Sequence, residues 1–242
     1  MALLLFSAPA DAIVNIEDSA LAHPNTPLSA TLDLAVNGTA GNSNKIGSSA
    51  DLGIQWHHNP HQLLLWLGYY YGRSQQKRNA NRGFAHLRYR HHFTPRYAVE
   101  SFTQWQKDEF ARLNRRILLG GGVRITEGDQ HVGIGAFHER EVLQPSGAER
   151  NNLTHTTWRA SLYLALQHRF THATVSDTLY YQPAMRHLSN DYRLLNEAAL
   201  RVEINKNISL KLSLESRQDS RPPTGVKQLD LRYTTSFSYA LP

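Results

Sequence analysis

The side chains of this sequence best suited to chemistry are its histidines, one serine beside a histidine, and a series of charges set two residues apart. His187-Leu188-Ser189-Asn190 puts an imidazole two residues from a hydroxyl, an arrangement in which a neutral His can take the Ser proton and ready the oxygen for acyl transfer. No third residue stands at a matching position to orient that imidazole, and matches this short arise often by chance. The 13 histidines raise the question of metal. His57-His58 with His61, and His91-His92, flank sharp turns, and paired neutral imidazoles suit Zn or Cu. Neither group brings a carboxylate or a third His at a recognisable ligand spacing, so both read as polar turn residues and no metal or cofactor is expected. The chain has no Cys, which removes thiolate nucleophiles, disulfides and Cys-ligated metals. Gly120-Gly121-Gly122 lacks the following Lys-Ser/Thr of a phosphate loop and reads as structural. The expectation is a protein without catalytic residues.

The charges remain. Arg88, Arg90, Glu100, Arg116, Arg124, Glu139, Arg159, Arg169, Arg193, Glu197, Arg201, Glu203, Lys211, Glu215, Arg217, Asp230 and Arg232 all sit in alternation with apolar residues. The last hairpin shows what must position them. Ile208, Leu210, Leu212 and Leu214 oppose Ser209, Lys211, Ser213 and Glu215; beyond the turn-rich run Asp219 to Gly225, Leu229, Leu231, Tyr233, Phe237 and Tyr239 oppose Asp230, Arg232, Thr234, Ser236 and Ser238. A period of two suits a strand between an apolar and a polar medium. Each strand is ten or more residues, longer than the ~5–6 usual in soluble sheets and close to the ~9–11 of a tilted membrane-spanning strand.

The same pattern repeats from about Leu28. Strands centre on Ala30 to Val36, Ala50 to Trp56, Leu63 to Tyr71, Ala85 to Tyr89, Tyr97 to Lys107, Leu113 to Ile125, Val132 to Ala136, Trp158 to Phe170, Ala173 to Gln182 and Tyr192 to Ile204, before the final two. The fifth alternates least regularly. In the sixth, Leu113, Ile117, Leu119, Val123 and Ile125 are read as one face, with the glycine triplet marking a bend or a close approach in a curved sheet. Sharp turns at His58-Asn59-Pro60-His61, Phe93 to Arg96, Glu127 to Asp129 and Asn205 to Asn207 alternate with longer polar stretches at Asn37 to Ser43, Arg73 to Arg82, Gln144 to Thr154 and Pro183 to Asp191. About twelve strands with alternating connection lengths predict an all-β, antiparallel, up-and-down transmembrane barrel, with short periplasmic turns, longer external loops and both termini on the periplasmic side. Aromatic residues such as Trp56, Tyr69, Tyr89, Tyr97, Trp158, Tyr233 and Tyr239 lie near strand ends, where two girdles would be. The charged face would then line a wet, mixed-sign, net basic lumen.

Composition is consistent with this. Mean hydropathy is −0.48, and no run approaches the ~18 apolar residues of a spanning helix, so a helical membrane protein is excluded. Alternating strands hide their apolar face from an averaged scale. The net charge of +6 comes from Lys and Arg interspersed with Asp and Glu along strands, which speaks against a nucleic-acid partner and fits anionic lipid head groups. Ala2 to Ala12 resembles an apolar signal segment ending in the small-x-small pattern Ala10-Asp11-Ala12. The predicted organisation is residues 1–12 residual signal peptide, 13–27 N-terminal arm and 28–242 barrel.

Asp219-Ser220-Arg221-Pro222-Pro223-Thr224-Gly225-Val226-Lys227 is similar to the D-x-x-P-P-x-G-V-K signature of the bacterial salt-induced outer-membrane proteins, a family known as domain of unknown function 481. Asp108-Glu109-Phe110 with Leu118 to Gly122, and Asp191-Tyr192-Arg193-Leu194-Leu195, also resemble it, over about Ser29 to Tyr239. The resemblance implies an outer-membrane barrel of a Gram-negative envelope, linked by name to salt or osmotic stress, and supplies no catalytic residues. The partners it implies are outer-membrane lipids, lipopolysaccharide and the barrel-assembly machinery. The chain departs from such barrels in closing on Tyr239-Ala240-Leu241-Pro242 rather than on an aromatic residue. A structural or narrow solute-permeable role is expected. The alternatives are a barrel lipid esterase or deacylase using His187 and Ser189, and a soluble periplasmic binding barrel.

Overall fold

The computed structural model describes residues 15, 17, 27–40, 44–145, 151–223 and 225–241; the predicted signal segment, residues 1–12, lies outside them. Twelve strands follow one another: β1 (Leu28–Thr39), β2 (Lys45–His58), β3 (His61–Ser74), β4 (Lys77–His92), β5 (Tyr97–Asp108), β6 (Leu113–Glu127), β7 (Gln130–Leu143), β8 (Leu153–Arg169), β9 (Ala173–Pro183), β10 (Tyr192–Glu203), β11 (Ile208–Asp219) and β12 (Leu229–Leu241). Each pairs antiparallel with its sequence neighbours, and β1 pairs with β12 from Ala30↔Leu241 to Leu34↔Phe237, so the sheet is a closed barrel without a free edge. The even strand count places the start of β1 and the end of β12 at one end, called here the near end; the other is the far end.

Alternation decides what each strand presents. Along β5 it is complete: Ala98, Glu100, Phe102, Gln104, Gln106 and Asp108 are buried inside, and Tyr97, Val99, Ser101, Thr103, Trp105 and Lys107 face out. This strand reads irregularly in sequence because Phe102 faces the interior while Ser101 and Thr103 face outward. The outer surface is an apolar band that includes Leu34, Leu67, Leu119, Ile134, Leu164, Leu214 and Phe237, all exposed. Trp56, Tyr89, Phe93, Tyr97, Phe170 and Tyr239 ring it towards the near end, and Tyr69, Trp105, Trp158 and Tyr233 towards the far end.

Two sequence expectations need correction. The polar stretch Arg73 to Arg82 is mostly strand: β3 and β4 are joined by Gln75 and Gln76 alone, both at positive φ (49° and 62°), so the far-end connections are not uniformly long. A strand end that is polar on both faces has no period to reveal it. Leu113 does not share a face with Ile117. It is fully buried with Ala111 and Leu143, because the β6–β7 register shifts between Leu113 and Arg115 and reverses the facing of the residues before it.

The glycine triplet marks a close approach. A Cβ on Gly122 would lie 2.5 Å from the Ile134 carbonyl oxygen and 2.8 Å from the Cα of Gly135, its register partner on β7. Both obstacles are backbone, so only glycine fits there.

Candidate functional site

Residues two apart on one strand share a face, so β4 projects Arg88 and Arg90 together into the interior. Arg90 lies opposite Glu100 of β5, with Nε donating to Oε1 at 2.5 Å. Arg124 of β6 joins them: its Nη1 donates to the Tyr163 hydroxyl at 2.9 Å, and that hydroxyl donates to Glu100 Oε2 at 2.9 Å. A carboxylate from outside the barrel wall completes this near-end cluster. Glu17 Oε1 accepts from Arg88 Nη1 (2.8 Å) and Arg90 Nη2 (2.6 Å), and Oε2 accepts from Arg124 Nη1 (2.6 Å). All these groups are almost completely buried. Burial opposes ionisation of Glu17, but the guanidiniums of Arg124, Arg90 and Arg88 outweigh it and hold its carboxyl well below the usual carboxylate range.

A second cluster sits at the far end. Arg116 of β6 donates through Nη2 to Glu141 of β7 and lies 3.1 Å from Glu139. Arg193 of β10 bonds Glu139, reaches Glu141 at 2.8 Å and its register partner Asp219 at 3.0 Å. Arg159 of β8 pairs with Glu139 and with Asp191, both at 2.8 Å. Five strands and a loop are thus cross-linked through one alternating network. Over it opens a cavity of about 580 Å³, lined by Arg112, His155, Arg159, Arg193, Arg221 and Pro222 among others.

A third group lines the β10–β12 and β1–β4 side. Glu215 accepts from Arg217 (2.6 Å) and pairs with Arg232 (2.9 Å), while the Lys211 ammonium lies 3.8 Å from Asp33 and 3.7 Å from Glu197. Asp230 stands opposite Arg217 in register, and Arg201 donates to Ser209 at 3.3 Å. A cavity of about 130 Å³ opens here, with Asn15, Asp51, Trp66, Tyr70 and Arg82 in its wall.

The lumen is not wet throughout. Phe102, Leu118, Phe137, Tyr163, Tyr180 and Leu195 form a buried apolar cluster inside the barrel, on the side spanned by β5 to β10. They occupy the parity that sequence reading gave to polar residues, where a few apolar exceptions do not break an alternating pattern.

The structure distributes the sequence candidates unevenly. Arg88, Arg90, Arg116, Arg124, Arg159, Arg193 and Arg217 are buried in the lumen. Glu197, Arg201, Lys211, Glu215, Asp230 and Arg232 are half-buried in its wall. Arg169 and Glu203 are exposed at the near-end tips of β8 and β10, Arg169 with Asp129 at 3.5 Å. Sequence reading missed Glu17, which comes from an arm with no period, and Glu141, which the two-residue spacing from Glu139 could have supplied. His187 and Ser189 are both exposed in the connection from β9 to β10. The histidines diverge: His57 and His92 share the inward parity with ring centroids 6.2 Å apart, while His58, His61 and His91 face outward, His61 bonded to the Tyr89 hydroxyl at 2.7 Å. Among the described residues no group of three or more His, Asp or Glu could hold a metal ion.

The family model described as "Protein of unknown function, DUF481" matches residues 32–241. The chain belongs to the DUF481 family. This DUF481 barrel is also similar to solved outer-membrane structures. The translocator domain of autotransporter NalP from Neisseria meningitidis has 16% identity and a TM-score of 0.52 over 93% of this chain and 91% of that one. The NanC porin has 9% identity and a TM-score of 0.51 over 88% and 97%. At these identities the likeness is one of fold. No curated protein matches the sequence. In this DUF481 member, Asp191, Arg193 and Asp219, from the stretches that carry the family resemblance, meet in the far-end network.

Proposed function

We propose that this protein is a barrel of the bacterial outer membrane whose charged lumen is a narrow path for small polar solutes or ions, and that it has no catalytic role. The observation that carries this reading is the division of faces on the same strands: an apolar band between two aromatic rings outside, and buried ionic networks beside open space inside. A soluble barrel would have no reason to present Leu119, Ile134 and Phe237 to solvent. A barrel acting only as a rigid peg could fill its interior with residues such as Phe102 and Leu195, because replacing buried ion pairs by well-packed apolar side chains is often neutral or stabilising. The near-end surplus of arginine over wall carboxylates favours anions. Lipids and lipopolysaccharide would surround the band, the barrel-assembly machinery would insert it, and the link to salt stress stays as the family resemblance implies it.

The test is conductance in a planar bilayer. Discrete current steps with a reversal potential favouring anions under a KCl gradient are expected; no steps from protein that shows the mobility shift on boiling typical of a closed barrel would overturn the path. Hydrolysis of a phospholipid that disappears in Ser189→Ala would overturn the non-catalytic reading.

A further inference from the structure

The near-end cluster holds more positive charge than its wall supplies counter-charge for. Among the described residues, Arg88, Arg90 and Arg124 share one carboxylate of the barrel, Glu100, at 3.6, 2.5 and 3.7 Å. Glu17 lies closer than Glu100 to both Arg88 and Arg124, at 2.8 and 2.6 Å. It belongs to no strand and reaches the cluster from a segment that precedes β1. Two further donors around this carboxylate are unused: Arg88 Nε and the Tyr180 hydroxyl are buried with no hydrogen-bond partner. Tyr180 packs ring to ring with Tyr163 at 5.3 Å, and Arg88 lies over the Phe102 ring at 5.5 Å, so the guanidinium is held in place by its surroundings as well as by its ion pairs.

We infer that Arg88, Arg90 and Arg124 form a carboxylate-binding site of the lumen, and that the chain's own Glu17 occupies it in this state as a tethered ligand. Three guanidiniums converging on two oxygens suit a planar carboxylate. The tether gives Glu17 an effective concentration of about millimolar order, so a free carboxylate competes poorly while Glu17 is charged and in place. Neutralising Glu17 leaves the arginines in position and the site without its anion.

Full-length protein folded in detergent is titrated calorimetrically with glutarate and with glutaramide, its uncharged counterpart. Glu17→Gln is expected to bind glutarate at least tenfold more tightly than the unaltered protein and to ignore glutaramide, and Glu17→Gln combined with Arg90→Gln is expected to lose the gain. Equal glutarate affinity in unaltered and Glu17→Gln protein, or a gain that survives loss of Arg90, overturns the assignment. Arg124→Gln replaces Arg90→Gln in the double variant if the latter loses its mobility shift on boiling. The inference rests on the reading of the lumen as a path, and the two fail separately: calorimetry needs no current, so a silent bilayer with the calorimetric gain intact removes the path alone, and current without the gain removes the site alone.

Discussion

Among the described arginines, Arg193 pairs with three carboxylates of the lumen, Glu139, Glu141 and Asp219, with almost no exposure. Arg193→Ala leaves three buried carboxylates short of a partner and is expected to lower stability by about 3–5 kcal/mol in denaturant unfolding of the reconstituted barrel. Arg169→Ala removes a pair open to solvent and should change it by no more than about 1 kcal/mol. The two substitutions delete the same charge, so their difference isolates burial. Glu17 gives a pH expectation. It faces Arg88, Arg90 and His86 of β4, Glu100 of β5, Arg124 of β6, His131 of β7, Tyr163 of β8 and Tyr180 of β9. Its carboxyl is depressed in the folded state, so the stabilisation its charge brings is fully present above the ordinary carboxylate range and is lost only as pH falls through the lowered value. The stability difference between unaltered protein and Glu17→Gln should therefore stay constant from pH 8 down to pH 5; a difference that vanishes by pH 5 contradicts it.

At the scale of the strand, the proposed membrane setting and the lumen would impose opposite demands on neighbouring residues. Leu119, in the middle of β6, is 65% exposed on the outer band, and Leu119→Arg is expected to destabilise by about 2–4 kcal/mol in lipid. Leu118, next to it, faces the apolar cluster inside. The β6–β7 contact sets a second limit. Gly122→Ala adds a Cβ against backbone atoms and is expected to abolish the heat-modifiable form, whereas Gly83→Ala, whose Cβ would meet its nearest neighbour at an ordinary 3.6 Å, is expected to keep it. Strand number, order and most facing were legible because alternation is a property of sequence alone. Leu113 was misread because a register shift leaves no trace in the pattern before it. Gly120 to Gly122 announced a close approach, but not its partner, since Gly135 is near only after β6 and β7 pair. The buried charges could be placed on a face and not in a network: spacing puts Arg88 beside Arg90, but only closure brings Arg193 to Glu139 on a strand three places away.

For the whole molecule, the difference in connection length between the two ends supports the proposed orientation. The near-end turns Gly128–Asp129 and Asn59–Pro60 are two residues each, and the far end carries the connections 144–152, 184–191 and 220–228. An epitope inserted at Asn151 should be stained by antibody on intact cells, and one inserted at Gly128 only after the outer membrane is breached; the reverse pattern would invert the proposed orientation. The position of Glu17 also bears on when the barrel becomes complete. Its partners Arg88, Arg90 and Arg124 follow it by 71, 73 and 107 residues, and β1 waits for β12 before its outer edge is paired. A segment synthesised ahead of every strand is thus among those that must wait longest for their contacts, and contacts of such separation form slowly. A nascent barrel would pass through a stage in which its wall is partly built and Arg88 and Arg124 still lack Glu17, the nearer of their two carboxylates, so the pairing of this interior charge would keep time with assembly.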